Sequence, residues 1–492
     1  MNANSGQFPT YKGPSPVLKN PTTSLPTDRI ILSPTPNYKL WFLLILLLQL
    51  IFLPGRYYMA LNNLSWPFPY TLIILLCSGL FILVMHFAKV SLNKRDNLHL
   101  KYLLPILMSV LLMLTIQLLS LIINSPLSKR APLDILVYFI TFYGPILMLI
   151  VSYTIVNVFN DVVGLIRIFI TIILLSVIAS FLFAVSENLF GFVRAPVERI
   201  YIHRFFIPRL SITGLALILS VGLPLILSMF LFTKKKGYIV LFIAAVTALL
   251  FTCARWNIIV GIATMSLYYI ILLKMTKGST KIWKVYSKKI FTLVCFLIIL
   301  LTMLSLLGII DMEWIKFLLG NPDAIVDRSS SITNRTMALI EAWSFFCERP
   351  FLGYGPGEIY VRALTIAKYG IASSIVNDFR FLTPYSITLG VPHSTFASTL
   401  AEGGIVSFIA FLLIIRFLIS KQANNLKMDG SFKVIGIGLF SCSFAFIFSM
   451  LFNSIEHAVE PWILFWFIQG IGMGLYKLRG INNLNSDYPE PA

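Results

Sequence analysis

Three short stretches of this sequence carry side chains able to do chemistry, each beside a long apolar run. Residues 391–404 read VPHSTFASTLAEGG. His393, one of five histidines, lies there in a polar turn, where an imidazole can titrate or donate a hydrogen bond. Glu402 follows just inside the helix that begins after that turn; a carboxylate at such a depth is costly unless it is paired or functional. The plainer alternative is that His393 and Glu402 are capping residues. Residues 332–351 read ITNRTMALIEAWSFFCERPF, in which Met337, Ile340, Trp343 and Phe346 recur as one apolar helical face. Arg335 opens that helix, placed to meet whatever lies at a bilayer surface, although the spacing alone equally allows a solvated arginine. Pro350 ends the helix, and Gly353, Gly355 and Gly357 follow as a tight turn. In the third stretch, TCARWN at 252–257, Arg255 interrupts two apolar runs. A guanidinium at that position needs a partner, and phosphate oxygens suit its bidentate geometry. Snorkelling to the headgroups is the alternative.

The elements that must position these groups are membrane helices. Of 492 residues, 58% are hydrophobic and only 12% are charged, about half the roughly 25% usual for soluble chains. Apolar runs long enough to cross a hydrocarbon core of about 30 Å recur along the chain. Lipid requires their backbone hydrogen bonds to be satisfied internally, which a helix does. The expected spans are 39–56, 66–88, 102–123, 133–156, 164–185, 209–232, 238–254, 256–275, 290–310, 397–419, 434–454 and 460–477. The seventh and eighth are separated only by Arg255 and its neighbours. This predicts an all-α integral membrane protein of about twelve spans.

Charge sets the expected orientation. The net charge of +19 is not a nucleic-acid signal, because lysine and arginine sit in short clusters between apolar runs. With the N-terminus inside, the basic loops 89–101, 234–236, 274–289 and 416–433 are all cytoplasmic, and 274–289 alone holds six lysines. Both termini are then expected in the cytoplasm. The organisation is a flexible tail at 1–38, nine spans over 39–310, an extracytoplasmic segment at 311–396, three spans over 397–477 and a tail at 478–492. Four of the five cysteines fall in or beside apolar spans, and no CxxC, HExxH, DxD or P-loop pattern occurs. No metal or other cofactor is expected.

Arg194, Arg199, Arg204, Arg209, Arg255 and Arg335 all fall on the outer side in this topology, against the usual bias. An anionic lipid-linked substrate in the outer leaflet supplies a reason, since its tail partitions into lipid and its diphosphate sits at arginine height.

The same stretches resemble the O-antigen ligase and polymerase superfamily. The resemblance rests on the Arg335-led helix, on ERPFLGYGPGEIY, on PHSTFASTLAEGGIVSFIAFLLII, on CARWNIIVG and on RLSITGLAL, over roughly residues 205–420. Two positions depart from the family pattern: Ser394 stands for its usual Asn after the histidine, and Ala254 for the Ser before the arginine. The resemblance implies a GT-C-like fold and a donor glycan linked to undecaprenyl diphosphate. It implies transfer to a glycan or lipid-linked acceptor on the periplasmic side of a bacterial inner membrane. It implies that Arg255 and Arg335, joined by Arg204 and Arg209, hold the diphosphate. His393 would assist at the acceptor hydroxyl, with Glu402 orienting it or capping a helix. Partners in the cell would be membrane lipid and envelope-assembly proteins such as a chain-length regulator, and no nucleic acid.

A flippase for a lipid-linked glycan would bind the same diphosphate but needs charged or broken helices near the midplane. Most spans here are uninterrupted, with Arg167 and Glu402 near expected ends. A non-catalytic envelope scaffold has no need of outer arginines beside a histidine. Within the enzyme reading, the altered residue after the histidine and the extra N-terminal tail favour a surface-polysaccharide polymerase or ligase-like enzyme over a dedicated lipopolysaccharide ligase.

Overall fold

A computed structural model describes residues 102–124, 142–159, 161–190, 211–252, 254–275, 339, 342–355, 394–428, 432–453 and 459–486. Among these, the regular structure is entirely helical: α1 (Leu104–Asn124), α2 (Leu147–Phe159), α3 (Val162–Phe190), α4 (Ser211–Thr233), α5 (Gly237–Phe251), α6 (Arg255–Met275), α7 (Thr395–Asn425), α8 (Phe432–Ser449) and α9 (Val459–Ser486). A 3-10 turn, Gly144–Ile146, leads into α2, and residues 342–348 form a short helix before the turn at 349–355. Among the described residues, six helices are long and apolar enough to cross a membrane: α1, α3, α4, α6, α7 and α8. The expected spans 39–56, 66–88 and 290–310 lie outside the described residues.

Several expected boundaries move. The fourth, expected at 133–156, is described from residue 142; it passes through a 3-10 turn at Gly144–Ile146 and runs on to Phe159. The tenth is longer than 397–419, and its helix is broken at Gly404. Between the seventh and eighth spans the division is sharp: the Thr252 hydroxyl donates to the Leu249 carbonyl (2.6 Å) and accepts from the Ala254 amide (3.3 Å). That turn closes α5 and starts α6 at Arg255.

Helix contacts follow from small residues. α2 and α9 lie side by side and parallel, with the Trp462 indole donating to the Phe142 carbonyl (2.7 Å) and Ser152 Oγ to the Phe467 carbonyl (2.9 Å). Gly470 and Gly474 face Ser152 and Val156 so closely that a Cβ on either would overlap them. In lipid, where apolar burial does not drive association, such close backbone packing is what joins helices. Nearly all of α4 is buried, at the centre of the bundle, whereas α1 presents Leu104, Met108, Leu111 and Ile122 outward.

The described helix ends gather into two groups. At one end, Phe232 lies 5.5 Å from Phe432, Tyr102 lies 6.0 Å from Tyr476, and Lys421 lies 4.6 Å over the Tyr476 ring. Lys234, Lys235 and Lys236 turn the chain there between α4 and α5. At the opposite end are the starts of α2, α6, α7 and α9, the ends of α1, α5 and α8, and the turn at 349–355.

Candidate functional site

The site is built at that second end, around the beginning of α7. Ser394 is the N-cap of α7, in extended conformation, and its hydroxyl oxygen accepts from the Ala397 amide (3.4 Å). Capping satisfies one of the free amides of the first turn. The same hydroxyl donates to the Met450 carbonyl (3.3 Å), and the Thr395 amide reaches that carbonyl as well (3.0 Å). Thr395 also bonds the Asn453 carbonyl, through its amide (3.3 Å) and its hydroxyl (3.1 Å). The chain leaving α8 therefore holds the entry of α7, directly after His393.

Asn453 reaches a third element. Its side-chain amide donates to Asn257 Oδ1 on the first turn of α6 (3.2 Å) and to Ser449 Oγ (3.1 Å). One residue earlier, the Phe452 ring stacks on Trp256, with centroids 4.6 Å apart and planes within 9°. Trp256 and Asn257 immediately follow Arg255. The starts of α6 and α7, distant in sequence, are thus held against one short segment.

Further along α7, the helix breaks around Glu402. Gly404 has φ 62° and ψ −168°, a conformation essentially confined to glycine. The break exchanges hydrogen-bond partners. In a continuous helix the Ile405 amide would bond the Ala401 carbonyl. Instead it donates to the Pro350 carbonyl (2.7 Å), while the Ala401 and Glu402 carbonyls accept from the Tyr354 amide (3.1 Å) and the Gly355 amide (2.8 Å). The turn at 350–355 thereby supplies the groups that the broken helix lacks, and unmet backbone groups in a bilayer cost several kcal/mol each. Contact is backbone to backbone: a Cβ on Gly353 would collide with the Glu402 carbonyl, and one on Gly404 with the Phe351 carbonyl. Ser120 Oγ of α1 donates to the Gly353 carbonyl (3.0 Å) and locks the turn from its other side.

The short helix 342–348 enters through this clasp. Ala342, Phe345 and Tyr354 are buried with Ala401 of α7. Phe345 meets the Tyr354 ring edge-on at 5.5 Å, Arg349 lies 4.9 Å over that ring, and the Tyr354 hydroxyl donates to Glu348 Oε2. Of the apolar face expected from Met337, Ile340, Trp343 and Phe346, the first two lie outside the described residues, and Trp343, 59% exposed, does not pack on the bundle. Small residues decide the matter, since Ala342, Ala397 and Ala401 allow a close approach that the indole does not. Trp343 and Phe346, with rings 5.3 Å apart, are left on the outer side, which suits an interfacial aromatic pair.

Glu402 itself is 2% exposed. The Tyr143 phenol donates to Gln117 Oε1 of α1 (2.8 Å). Gln117 lies beside Gly403, at 3.8 Å from where a Cβ would stand. Glu402 is the eighth residue of α7, whose N-cap is Ser394.

Residues 240–412 match the O-antigen ligase family model. That match puts this part of the chain in the O-antigen ligase and polymerase superfamily, the one its motifs resemble, and with the apolar helices it supports a membrane enzyme of O-antigen ligase type. No curated protein matches the chain. The matched region runs from α5 to the middle of α7 and so contains Arg255, Arg335, His393, Glu402 and the clasp. Glu402 and the backbone of Arg255 are described; His393 and Arg335, and Arg204 and Arg209 ahead of the matched region, lie outside the described residues.

Asn453, Asn257, Tyr143 and Gln117 were not singled out by the sequence. Asn453, four residues past the end of α8 and only 7% exposed, carried a faint signal in its polarity within an apolar context. Its partners became identifiable only once three helix ends met. Ser394, which departs from the family's Asn, keeps the capping chemistry, because Ser and Asn are near-equal N-caps.

Proposed function

We propose that this protein is a membrane glycosyltransferase of the O-antigen ligase or polymerase type. It takes a glycan from a polyprenyl-diphosphate carrier in the outer leaflet and passes it to a glycan or lipid-linked acceptor during surface-polysaccharide synthesis. About twelve spans in a GT-C-like arrangement carry the site, with both termini cytoplasmic and 311–396 as an extracytoplasmic segment. The observation that carries this reading is the convergence at one end of the bundle: the first residue of α6 is Arg255, the residue before the α7 cap is His393, and both helix starts are held by Asn453.

In this mechanism Arg255 and Arg335, with Arg204 and Arg209, bind the diphosphate and stabilise the charge that develops as it leaves. The acceptor hydroxyl oxygen attacks the anomeric carbon, the bond from that carbon to the diphosphate oxygen breaks, and the carrier departs as the diphosphate. A neutral His393 accepts the hydroxyl proton. Because Ser394 caps α7, His393 is not needed for that task. Glu402, buried in α7, orients His393 in this reading. The arginines supply the electrostatic stabilisation, so no metal enters the proposal.

The test is transfer by the purified protein with an undecaprenyl-diphosphate-linked oligosaccharide, read on a gel. A ladder from donor alone identifies a polymerase, and transfer only after a separate acceptor is added identifies a ligase. Arg335→Ala and Arg255→Ala should abolish either product while inserting normally. Normal products from both variants would remove the diphosphate role. Binding of the lipid with no transfer under any condition would favour a flippase.

A further inference from the structure

We propose that Asn453 is a positioning residue that fixes the start of α6, which Arg255 opens, relative to the start of α7, which His393 precedes in sequence. The proposal rests on the roles given to those two residues above. Asn453 joins the helix starts through two chemically distinct arms. Its side-chain amide holds Asn257, two residues after Arg255, and its main-chain carbonyl holds Thr395, two residues after His393. All the groups in this junction are buried: Asn257 is 1%, Thr395 0%, Ser449 0% and Asn453 7% exposed.

Packing does not require an amide at this point. A buried polar side chain is unfavourable unless hydrogen-bonded, so an apolar residue would fill the same space more simply. What the amide adds is direction: one Nδ2 group donates to the first turn of α6 and, at the same time, to Ser449 at the end of α8. The carbonyl then fixes the α7 start relative to that same residue. The Asn453 amide donates to the Ser449 carbonyl (2.9 Å), so the segment is anchored to α8 by its own backbone. Replacing the side chain thus cuts the α6 arm and leaves the α7 arm in place. Donor and acceptor groups must approach within a few tenths of an ångström of a productive geometry, and a misplacement of about 1 Å costs on the order of a hundredfold in rate.

The test is transfer kinetics of the full chain in lipid nanodiscs, with an undecaprenyl-diphosphate-linked oligosaccharide as donor and Arg255→Lys as the second background. Asn453→Ala should lower kcat/KM for the donor about tenfold in the native background and less than about twofold with Arg255→Lys, because a lever acting through Arg255 has little left to move. Asn257→Leu, which breaks the same bond from the other side, should give a similar loss, and the double variant no more. Thr395→Val, which removes one bond of the α7 arm, should lower kcat while leaving the donor KM unchanged. An equal loss from Asn453→Ala in both backgrounds, or none in either, overturns the proposal. Should Asn453→Ala fail to fold, Asn257→Leu carries the same comparison. Full activity in Arg255→Lys and Arg255→Ala alone would instead remove the reading beneath it, and that result is obtained without touching Asn453.

Discussion

Gly404→Ala isolates the clasp between the broken helix α7 and the turn at 350–355. At φ 62° and ψ −168°, Gly404 occupies backbone space that costs a side-chain-bearing residue about 1–3 kcal/mol. A Cβ there also overlaps the Phe351 carbonyl, which is backbone and cannot rotate away. The alternative open to the variant is a straighter α7, with the Ile405 amide returned to the Ala401 carbonyl. That gives up the three clasp bonds, each contributing about 1 kcal/mol net, and regains about two in the helix ladder. Those bonds leave the straighter helix about 1 kcal/mol above the clasped state with glycine in place. The strain of the added carbon moves that equilibrium by about 1–3 kcal/mol against the clasp, a population change of roughly 5- to 160-fold. Hydrogen exchange reads it directly, because the Tyr354 and Gly355 amides are the donors of the clasp. Their protection should fall by that factor in Gly404→Ala while the amides of α4 keep theirs. Gly353→Ala should act alike, since its φ is 66° and its Cβ meets the Glu402 carbonyl. Gly237→Ala serves as the control, having no heavy atom within 4 Å of the added carbon. Native protection at 354 and 355 in Gly404→Ala would refute the reasoning, whatever the variant did to transfer.

Two further outcomes follow from the packing and the site. Gly470→Val drives a branched side chain into Ser152 and the backbone of α2, so it should destabilise the bundle by about 1–3 kcal/mol, read as a lowered unfolding temperature in detergent; an unchanged midpoint would mean that α2 and α9 are not in close contact. His393→Ala should lose transfer while still binding undecaprenyl diphosphate, measured with purified protein, and an unchanged rate would remove His393 from the chemistry.

By itself the sequence determined the solvent and the secondary structure. Apolar runs of about 20 residues leave a chain in lipid no economical alternative to helices, so the positions of α1, α3, α4, α6 and α8 were readable within a few residues. It also marked Glu402 and the turn through Gly353 and Gly355 as unusual, because a carboxylate and clustered glycines stand out in such company. Periodicity did not tell which face of 342–348 packs: the bulky stripe through Trp343 was legible, yet the smaller one through Ala342 and Phe345 made the contact. Only the tertiary structure decided that the glycines of two distant segments meet and trade backbone hydrogen bonds. It alone decided, too, that Asn453 joins the starts of α6 and α7. The physical reason is that a run of hydrophobic residues reports on its environment locally, residue by residue. A hydrogen bond between segments depends on where two backbones arrive, and no local pattern encodes that.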